Sequence, residues 1–330
     1  MSDPIVIVGG GLSGLYAARL LAAAGLDFLL LEAQGRLGGR ILSVTDDGFD
    51  LGPTWFWPDM QPVMARLIAE LGLASFAQYS EGDVLIERAA REPVQRFAGF
   101  GQMASSFRIA GGTGALVAAL AKQLPQDRIR RNVTVTGAAL RGDGVSLATR
   151  DGQTVIASRV LFAVPPRLLE RTVTFTPAID PGLQTRWRQT PTWMAPHAKF
   201  LAVYEKPFWR DSGLSGTAQS MIGPMVEIHD ASAMAGRAAL FGFLGVPAAA
   251  RQQIGEEALK RHCQAQFARL FGPQAPVATF LKDWSADGLT ATADDREAGE
   301  HPTPVSQPWF DPIWAHRAVM AGSETAPEHP

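Results

Sequence analysis

The chain has 330 residues, 46% of them hydrophobic, and 30 basic against 32 acidic side chains give it a formal net charge of −2. This length is sufficient for two domains, each with a substantial core. The nearly balanced and interspersed charges exclude the basic surface that is typical of nucleic-acid-binding proteins.

The start of the chain and its single cysteine indicate in which cellular compartment the protein occurs. The first four residues lead directly into an apolar strand, which leaves no room for a cleavable leader. Charges interrupt every apolar segment before it reaches membrane-spanning length. The single cysteine, Cys263, excludes an internal disulfide and a cysteine zinc cluster, and the six histidines lack metal-ligand spacing. We expect a cytoplasmic protein with no membrane segment and no bound metal.

A glycine-rich turn follows the first predicted strand, the apolar run 5–8. The turn fits the pattern G-x-G-x-x-G and leads into a helix that we predict over 15–24. Such glycines allow a tight turn, a close approach of the backbone to a pyrophosphate, and close packing of the helix on the strand. The candidate phosphate-binding residues are Gly9, Gly11, Leu12, Ser13 and Gly14.

A second apolar strand, predicted over 28–31, ends at Glu32, about 20 residues after the glycine turn. A carboxylate at this point accepts hydrogen bonds from the ribose hydroxyls of an adenosine. The order of strand, glycine turn, helix, strand and acid predicts a dinucleotide-binding unit. The alternative is a glycine turn in some other α/β protein.

The later segments predict further helices and a mixed set of strands. Helices are predicted over 61–73, 115–124 and 256–271. Strands are predicted over 133–135, 145–149, 154–156, 159–164, 198–204, 239–244, 278–281 and 318–321. Together with the dinucleotide-binding unit, these elements predict an α/β fold.

Lys199 is the candidate catalytic residue. It interrupts the apolar strand 198–204 and is one of few lysines in a chain whose basic residues are mostly arginine. The alternative is a solvated lysine on an edge strand.

These segments together resemble the flavin-containing amine oxidase family, which includes monoamine oxidases, polyamine oxidases and L-amino-acid oxidases. By this resemblance the chain is a short, bacterial-type member. The segments that carry the resemblance are 9–14 with Glu32-Ala33, Leu37-Gly38-Gly39-Arg40, Asp50-Leu51-Gly52, Gly111-Gly112, 160–165, Lys199 with Pro207-Phe208-Trp209, and 321–326.

The resemblance implies FAD as the cofactor and a discontinuous, Rossmann-like FAD-binding domain interleaved with a mixed α+β substrate domain. The FAD is expected to be non-covalent, because the cysteine segment of monoamine oxidases has no counterpart here. The implied FAD-binding domain comprises residues 1–57, 108–170 and 310–330, and the implied substrate domain comprises 58–107 and 171–309.

The resemblance also implies cofactor contacts outside the glycine turn. Arg40 would donate to the diphosphate, the alternative being a solvated arginine. Val133 or Val135 would present backbone groups to the adenine, and Glu324 would bind near the ribityl or phosphate groups. The full set of implied contacts adds Glu32, Ala33, Arg36, Gly38, Gly39, Gly52, Pro53, Thr54, Trp55, Gly322 and Ser323.

The implied reaction transfers a hydride from the α-carbon of an amine to flavin N5, followed by imine hydrolysis and reoxidation by O2 to H2O2. The lysine matching Lys199 holds a water against N5. Candidate substrate-lining residues are Trp55, Trp57, Leu289 and Ala291, and ordinary aromatic packing is the alternative for the two tryptophans.

Several positions depart from the family pattern. Gln34 replaces a common arginine, Pro53 replaces a glycine, and Leu289 or Ala291 stands where many members have a cage aromatic. In the family pattern the segment 321–326 is followed by a further helix, whereas the given sequence reaches Pro330 soon after it, so we expect the natural protein to continue beyond Pro330.

Two alternative functions stay open. One is an FAD-dependent desaturase, dehydrogenase or isomerase for a non-amine substrate, and the other is a non-catalytic nucleotide-binding protein.

Overall fold

The computed structural model describes residues 3–99, 106–297 and 307–326. The strands in chain order are β1 (Ile5–Val8), β2 (Phe28–Leu31), β3 (Ser43–Val44), β4 (Phe49–Asp50), β5 (Ser75–Ala77), β6 (Asp83–Glu87), β7 (Gln95–Phe97), β8 (Phe107–Ile109), β9 (Ile129–Arg130), β10 (Val135–Arg141), β11 (Gly144–Thr149), β12 (Thr154–Ala157), β13 (Arg159–Phe162), β14 (Thr174–Thr176), β15 (Ala198–Tyr204), β16 (Leu214–Ser220), β17 (Met225–Asp230), β18 (Ala238–Leu244), β19 (Ala278–Asp283) and β20 (Ala318–Met320).

The helices in chain order are α1 (Leu12–Ala23), α2 (Pro62–Glu70), α3 (Thr113–Lys122), α4 (Pro166–Thr172), α5 (Pro181–Gln189), α6 (Phe208–Asp211), α7 (Ala248–Ile254) and α8 (Glu256–Phe271). Short 3-10 turns occur at Gln126–Arg128, Trp284–Ala286, Ala293–Asp295 and Ser323–Thr325. No described helix is long and apolar enough to cross a bilayer.

The chain divides into two compact units. The first comprises Met1–Arg40, Val117–Ala195 and Ser285–Pro330, and the second comprises Ile41–Leu116 and Pro196–Trp284. These bounds describe packing. The division into FAD-binding and substrate domains is a statement about ligands and stays a prediction.

A parallel five-stranded sheet forms the centre of the first unit, in the order β20-β13-β1-β2-β9. β1 pairs in parallel with both β13 and β2. Strands that are covered on both faces are apolar along their length, and β2 is accordingly buried at all four residues. The carboxyl end of β1 leads into the glycine turn.

The glycine turn differs from its prediction in where the helix begins. α1 begins at Leu12, with Gly11 as its N-cap, so Gly14 lies inside the helix. A Cβ at Gly14 would lie 1.9 Å from the carbonyl oxygen of Gly9. Close helix–strand packing therefore requires glycine there, and the predicted start at residue 15 was too late.

The first unit contains a second sheet, in the order β12-β11-β10-β14. It holds the strands that the sequence predicts over 133–135, 145–149 and 154–156, but β10 begins at Val135, two residues later than predicted, and continues to Arg141. Aromatic side chains pack in this unit's core, where Phe175 lies 5.1 Å from Trp314 and 5.7 Å from Trp187 between ring centroids.

The second unit is built on a seven-stranded sheet in the order β19-β15-β18-β17-β16-β6-β7. β15 is an interior strand, antiparallel to both β19 and β18. The predicted bounds of β15 and α8 agree with the structure. α8 buries Leu259, Cys263 and Phe267, which lie four residues apart on one helix face, in the same core cluster as Phe200 of β15.

Candidate active site

The glycine turn and the start of α1 form an open cradle in the first unit. Gly9 has φ +110°, a conformation that favours glycine. A Cβ at Gly11 would meet no atom closer than 3.9 Å. The first residues of α1, Leu12 and Ser13, are half-buried, and no side chain caps the helix. Free N–H groups and the positive end of a helix dipole suit a phosphate.

Glu32 lies beside this cradle. Its Oε2 accepts a hydrogen bond of 2.6 Å from the Gly10 N–H, and its Oε1 accepts one of 2.7 Å from the Gln34 N–H. The Val133 N–H donates to the carbonyl oxygen of Glu32 at 2.9 Å. The structure thus brings Glu32 and Val133 together, while Val135 of β10 pairs with Thr149 of β11 in the second sheet of this unit.

The segment after Glu32 folds back onto the glycine turn. Ala33 is half-buried, and the Gly38 N–H donates to the carbonyl oxygen of Gly10 at 2.8 Å. Arg36 donates to the carbonyl oxygen of Gly39 at 2.8 Å. A Cβ at Gly39 would lie 3.3 Å from the Gly11 Cα, so the two backbones approach closely.

Arg40 and Glu324 form a bidentate ion pair, with N–O distances of 2.6 and 3.0 Å. The Glu324 side chain is 1% exposed and that of Arg40 is 28% exposed. Glu324 lies in the 3-10 turn that follows Gly322, whose φ is +148°, and the neighbouring Ser323 is exposed. The ion pair neutralises both groups and leaves part of the guanidinium accessible to an anion.

These features fit the ADP half of FAD. An uncapped helix start, a glycine cradle and a buried carboxylate beside it are the groups that a pyrophosphate and a ribose require. They are found together within the first unit.

Lys199 is enclosed in the second unit, with 2% of its surface exposed. Its Nζ donates to Thr54 Oγ1 at 2.5 Å and to the carbonyl oxygen of Gly52 at 3.2 Å. It also lies 3.8 Å from the ring centroid of Phe241. Burial lowers the pKa of Lys199 to about 7, opposed by Asp50 and reinforced by Arg108. The alternative of a solvated edge lysine is therefore wrong.

Asp50 fixes the loop that holds Lys199. Its carboxylate accepts hydrogen bonds from Ser43 Oγ at 2.5 Å, from the Thr113 N–H at 2.9 Å and from Thr113 Oγ1 at 2.7 Å. Thr113 Oγ1 also lies 3.1 Å from the carbonyl oxygen of the exposed Pro53. Burial raises the pKa of Asp50. Asp50 thus supports the segment that carries the Gly52 and Thr54 acceptors.

Asp50 also explains where α3 begins. The carboxylate binds the N–H of Thr113 at the first residue of the helix. The sequence predicts a start at residue 115, because the acid that supports this end lies 63 residues away in the chain.

Arg108 is a buried residue that sequence reasoning missed. It donates to the carbonyl oxygens of Ser232 at 2.7 Å and Ala231 at 2.8 Å. Burial lowers its pKa, and the nearby charges of Asp50 and Asp230 oppose this shift. It therefore stabilises the chain that follows β17.

Trp55 lies in an aromatic cluster with His229, Phe241 and Phe243, at centroid distances of 4.9, 5.4 and 6.5 Å. Its Nε1 donates to Gln78 Oε1 at 2.7 Å. The sequence interpretation missed His229 because it assigned no strand to β17, and it did not connect Phe241 and Phe243 of the predicted strand 239–244 with Trp55. The alternation of Glu227 and His229 with apolar residues was the available signal.

The remaining candidates for the substrate site are divided between the units. Trp57 is half-buried in the second unit, and its backbone N–H donates to Gln61 Oε1 at 3.2 Å. Leu289 and Ala291 belong to the first unit, where Leu289 is exposed and Ala291 is buried. Among the described residues, no cluster of side chains is arranged to hold a metal ion.

Comparisons with known proteins identify the family. The model of the flavin containing amine oxidoreductase family matches residues 12–99 and 93–330. A probable flavin-containing monoamine oxidase A of Dictyostelium discoideum is 25% identical, over 98% of this chain and 92% of the relative. The putrescine oxidase of Kocuria rosea is 27% identical, over 88% of this chain and 83% of the relative.

Solved structures share the fold. A putrescine oxidase bound to putrescine superposes with a TM-score of 0.79 and 23% identity, covering 100% of this chain and 95% of the other. Cyclohexylamine oxidase from Brevibacterium oxydans gives a TM-score of 0.79 with 17% identity over the same shares. These likenesses confirm the predicted α/β fold class.

The family match confirms FAD as the cofactor. FAD is held without a covalent link, because the chain's one cysteine, Cys263, is fully buried among the apolar residues of α8. The chain belongs to the flavin-containing amine oxidase family, and it is an FAD-dependent oxidoreductase that acts on a small molecule.

Proposed function

We propose that the protein is an amine oxidase that acts on a neutral amine and uses O2 as its electron acceptor. Bound FAD would supply the redox chemistry, which is the two-electron oxidation of the amine to an imine with O2 as the electron acceptor, giving H2O2. The substrate leaves as an imine, which water hydrolyses. The relatives named as monoamine and putrescine oxidases support this proposal over a desaturase or a non-catalytic protein.

The environment of Lys199 is the observation that carries the proposal. An ammonium group has three N–H donors, and Gly52 and Thr54 accept two of them. In this proposal the third N–H donates to a water molecule. Because the pKa of Lys199 is lowered to about 7, both protonation states are populated near neutral pH. Lys199 therefore suits a residue that orients a reacting water and exchanges a proton with it.

The other site residues have proposed roles that follow from their contacts. Glu32 would accept from the ribose hydroxyls, Arg40 would donate to the diphosphate, and Glu324 would orient Arg40. The glycine turn and the first N–H groups of α1 would bind the pyrophosphate. Val133 or Val135 would present backbone groups to the adenine. The flavin ring would be lined by Gly52, Pro53, Thr54 and Trp55. The substrate would be lined by Trp55, Trp57, Leu289 and Ala291.

A cytoplasmic location belongs to the same proposal. It is supported by the use of a single cysteine in 330 residues, which is typical of proteins from reducing compartments.

The test measures reduction of the flavin by an amine and its reoxidation by O2 separately, in the wild type and in Lys199→Met. We expect the variant to keep its yellow FAD, because the groups that fit the ADP half lie in the first unit. Reoxidation of the reduced flavin by O2 should slow about 100-fold, the usual contribution of a proton-transfer group. Stopped-flow absorbance measures anaerobic reduction by an amine panel and reoxidation separately.

Lys206→Met is the matched control, since Lys206 is an exposed lysine of the same unit. It should leave both half-reactions unchanged. If Lys199→Met reoxidises at the wild-type rate and turns over normally, Lys199 has no part in the mechanism. If no amine class reduces the wild-type flavin, the amine oxidase proposal fails.

A further inference from the structure

Trp55 presents an aromatic surface close to Lys199. It directly follows Thr54, whose Oγ1 accepts a hydrogen bond from Lys199 Nζ. The indole lies 5.4 Å from the ring of Phe241 between centroids, and the Lys199 ammonium lies over that same ring. Trp55 is half-buried, so part of the indole is accessible. A flat apolar surface at this position can contact the carbon skeleton of a small molecule and fix its orientation.

Gln78 holds the edge of this indole. The Trp55 Nε1 donates to Gln78 Oε1 at 2.7 Å, and the Gln78 Nε2 donates to the carbonyl oxygens of Asp230 at 2.8 Å and Tyr79 at 3.1 Å. A glutamine amide has two N–H donors and one oxygen, so all three groups are engaged. The backbone N–H of Gln78 donates to the carbonyl oxygen of Ser106 at 2.8 Å. The amide is therefore held in one orientation.

The strand end to which Gln78 donates is itself firmly held. Asp230, the last residue of β17, is 1% exposed. Its Oδ2 accepts hydrogen bonds from Trp209 Nε1 and Arg210 Nε, both at 2.9 Å. Arg108 donates to the carbonyl oxygens of the two residues that follow Asp230. Because this anchor is fixed by several buried groups, Gln78 transmits its position to the indole.

Three rings restrict the indole further. His229 makes an edge contact with Trp55 at a centroid distance of 4.9 Å and an interplanar angle of 81°. Phe241 and Phe243 pack against the same indole at 5.4 and 6.5 Å. To turn, the indole would have to give up its hydrogen bond to Gln78 and displace these rings. Trp55 is thus a rigid wall whose plane depends on Gln78.

We propose that Gln78 is a positioning residue that determines which amines the enzyme accepts: by holding the Trp55 indole in one plane, it makes the enzyme discriminate between linear and branched amines of equal carbon number. This inference rests on the proposed function, because the amine being oxidised is assigned to the region next to Lys199. A wall that cannot turn fits one outline of the carbon skeleton and excludes the other. Apolar pockets discriminate between such skeletons by about tenfold or more.

The first experiment measures the hydrogen bond directly, with no substrate present. The holoenzyme is labelled with nitrogen-15 in its tryptophan side chains, and the Trp55 N–H signal is identified by its absence from Trp55→Phe. Exchange of this hydrogen with solvent should be about tenfold faster in Gln78→Met, which has a similar size but no amide. Gln219→Met, which replaces an exposed glutamine of the same unit, is the control. Equal exchange in Gln78→Met and the wild type would overturn the inference.

The second experiment measures kcat and KM for linear and branched amines of equal carbon number. The wild type should differ between the two shapes by about tenfold in kcat/KM. Gln78→Met should reduce this ratio about fivefold, through KM, while kcat changes by less than about twofold. If Gln78→Met does not retain the flavin spectrum, Gln78→Asn, whose amide is one methylene shorter, replaces it with the same expected result.

A double-mutant cycle separates positioning from a general structural defect. In Trp55→Phe the indole N–H is absent, so adding Gln78→Met should leave the ratio between the two amine shapes unchanged. A structural defect would instead lower kcat for both shapes and add to the effect of Trp55→Phe.

Additive effects in this cycle, or a wild type that uses both shapes equally well, would overturn the role of Gln78 while leaving the amine oxidase proposal intact. If no amine of either shape reduces the wild-type flavin, the proposed function itself fails. The two failures are therefore distinguishable.

Discussion

Lys199 and Asp50 show how burial adjusts two opposite charges at once. Removal from water disfavours the charged form of each group, so it lowers the pKa of the lysine and raises that of the acid. The positive charge of Lys199 lowers the pKa of Asp50, and the negative charge of Asp50 raises the pKa of Lys199, so each charge opposes the effect of burial on the other. The three hydrogen bonds that Asp50 accepts from Ser43 and Thr113 also favour its ionised form.

Replacing Asp50 should change the pH at which Lys199 titrates. Because the Asp50 charge raises the pKa of Lys199, Asp50→Asn should lower that pKa further below about 7. The deprotonated lysine would then predominate at lower pH. The pH dependence of flavin reoxidation should shift toward acid, as stopped-flow measurements from pH 5 to 9 would detect.

Asp59→Asn is the control, since Asp59 is an exposed carboxylate of the same unit. The visible flavin spectrum checks that each variant is folded. An unshifted pH profile in folded Asp50→Asn would mean that Asp50 supports the loop without influencing the charge of Lys199.

The glycine turn shows, at the scale of one element, that neighbouring glycines serve different needs. A Cβ at Gly14 would collide with the backbone of Gly9, whereas a Cβ at Gly11 would make only ordinary van der Waals contacts, at 3.9 Å from the Gly38 carbonyl oxygen and 4.0 Å from the Gly39 Cα. Packing between α1 and β1 requires glycine at position 14. At position 11, glycine leaves room that a ligand can use.

Two alanine variants separate these needs. Gly14→Ala should destabilise the protein by about 1–3 kcal/mol, the usual cost of overpacking. Gly11→Ala should leave the free energy of unfolding nearly unchanged and weaken FAD binding at least tenfold. Urea unfolding of the apoprotein and fluorescence titration with FAD measure the two effects.

Gly288→Ala is the neutral control, because a Cβ there would have nothing within 4 Å. If Gly11→Ala binds FAD as tightly as the wild type does, the pyrophosphate does not lie against Gly11.

The sequence predicted elements whose signals are local. The fingerprint around Gly9 and the bounds of β15 and α8 follow from patterns within one segment. The start of α3 was missed because Asp50 comes from a distant segment, and the contact of Lys199 with Phe241 was not predicted for the same reason. Polar strands such as β17 lack the apolar run that predicted the other strands.

At the scale of the whole molecule, both units are assembled from separated parts of the chain. The first unit combines three segments, and the Arg40–Glu324 ion pair connects the first of them to the last. The pair is partly buried, so removing one charge leaves the other poorly solvated.

Glu324→Gln should therefore destabilise the part of the first unit that contains this ion pair. We expect a loss of about 2 kcal/mol in stability, reduced from the full cost of a buried pair because Arg40 is partly exposed. FAD should dissociate about tenfold faster. Thermal unfolding and flavin fluorescence during dilution measure the two quantities.

A double-mutant cycle with Arg40→Gln tests whether the effect belongs to the pair. Coupling below about 0.5 kcal/mol would show that the two side chains act independently.

The interior position of β15 has a consequence for dynamics. Hydrogen bonds to β18 and β19 hold this strand on both sides. Backbone amides in such a strand exchange their hydrogens with solvent only when the sheet opens. The amide of Lys199 should therefore be among the most slowly exchanging in the second unit, so that the backbone at Lys199 moves only when a large part of that unit unfolds.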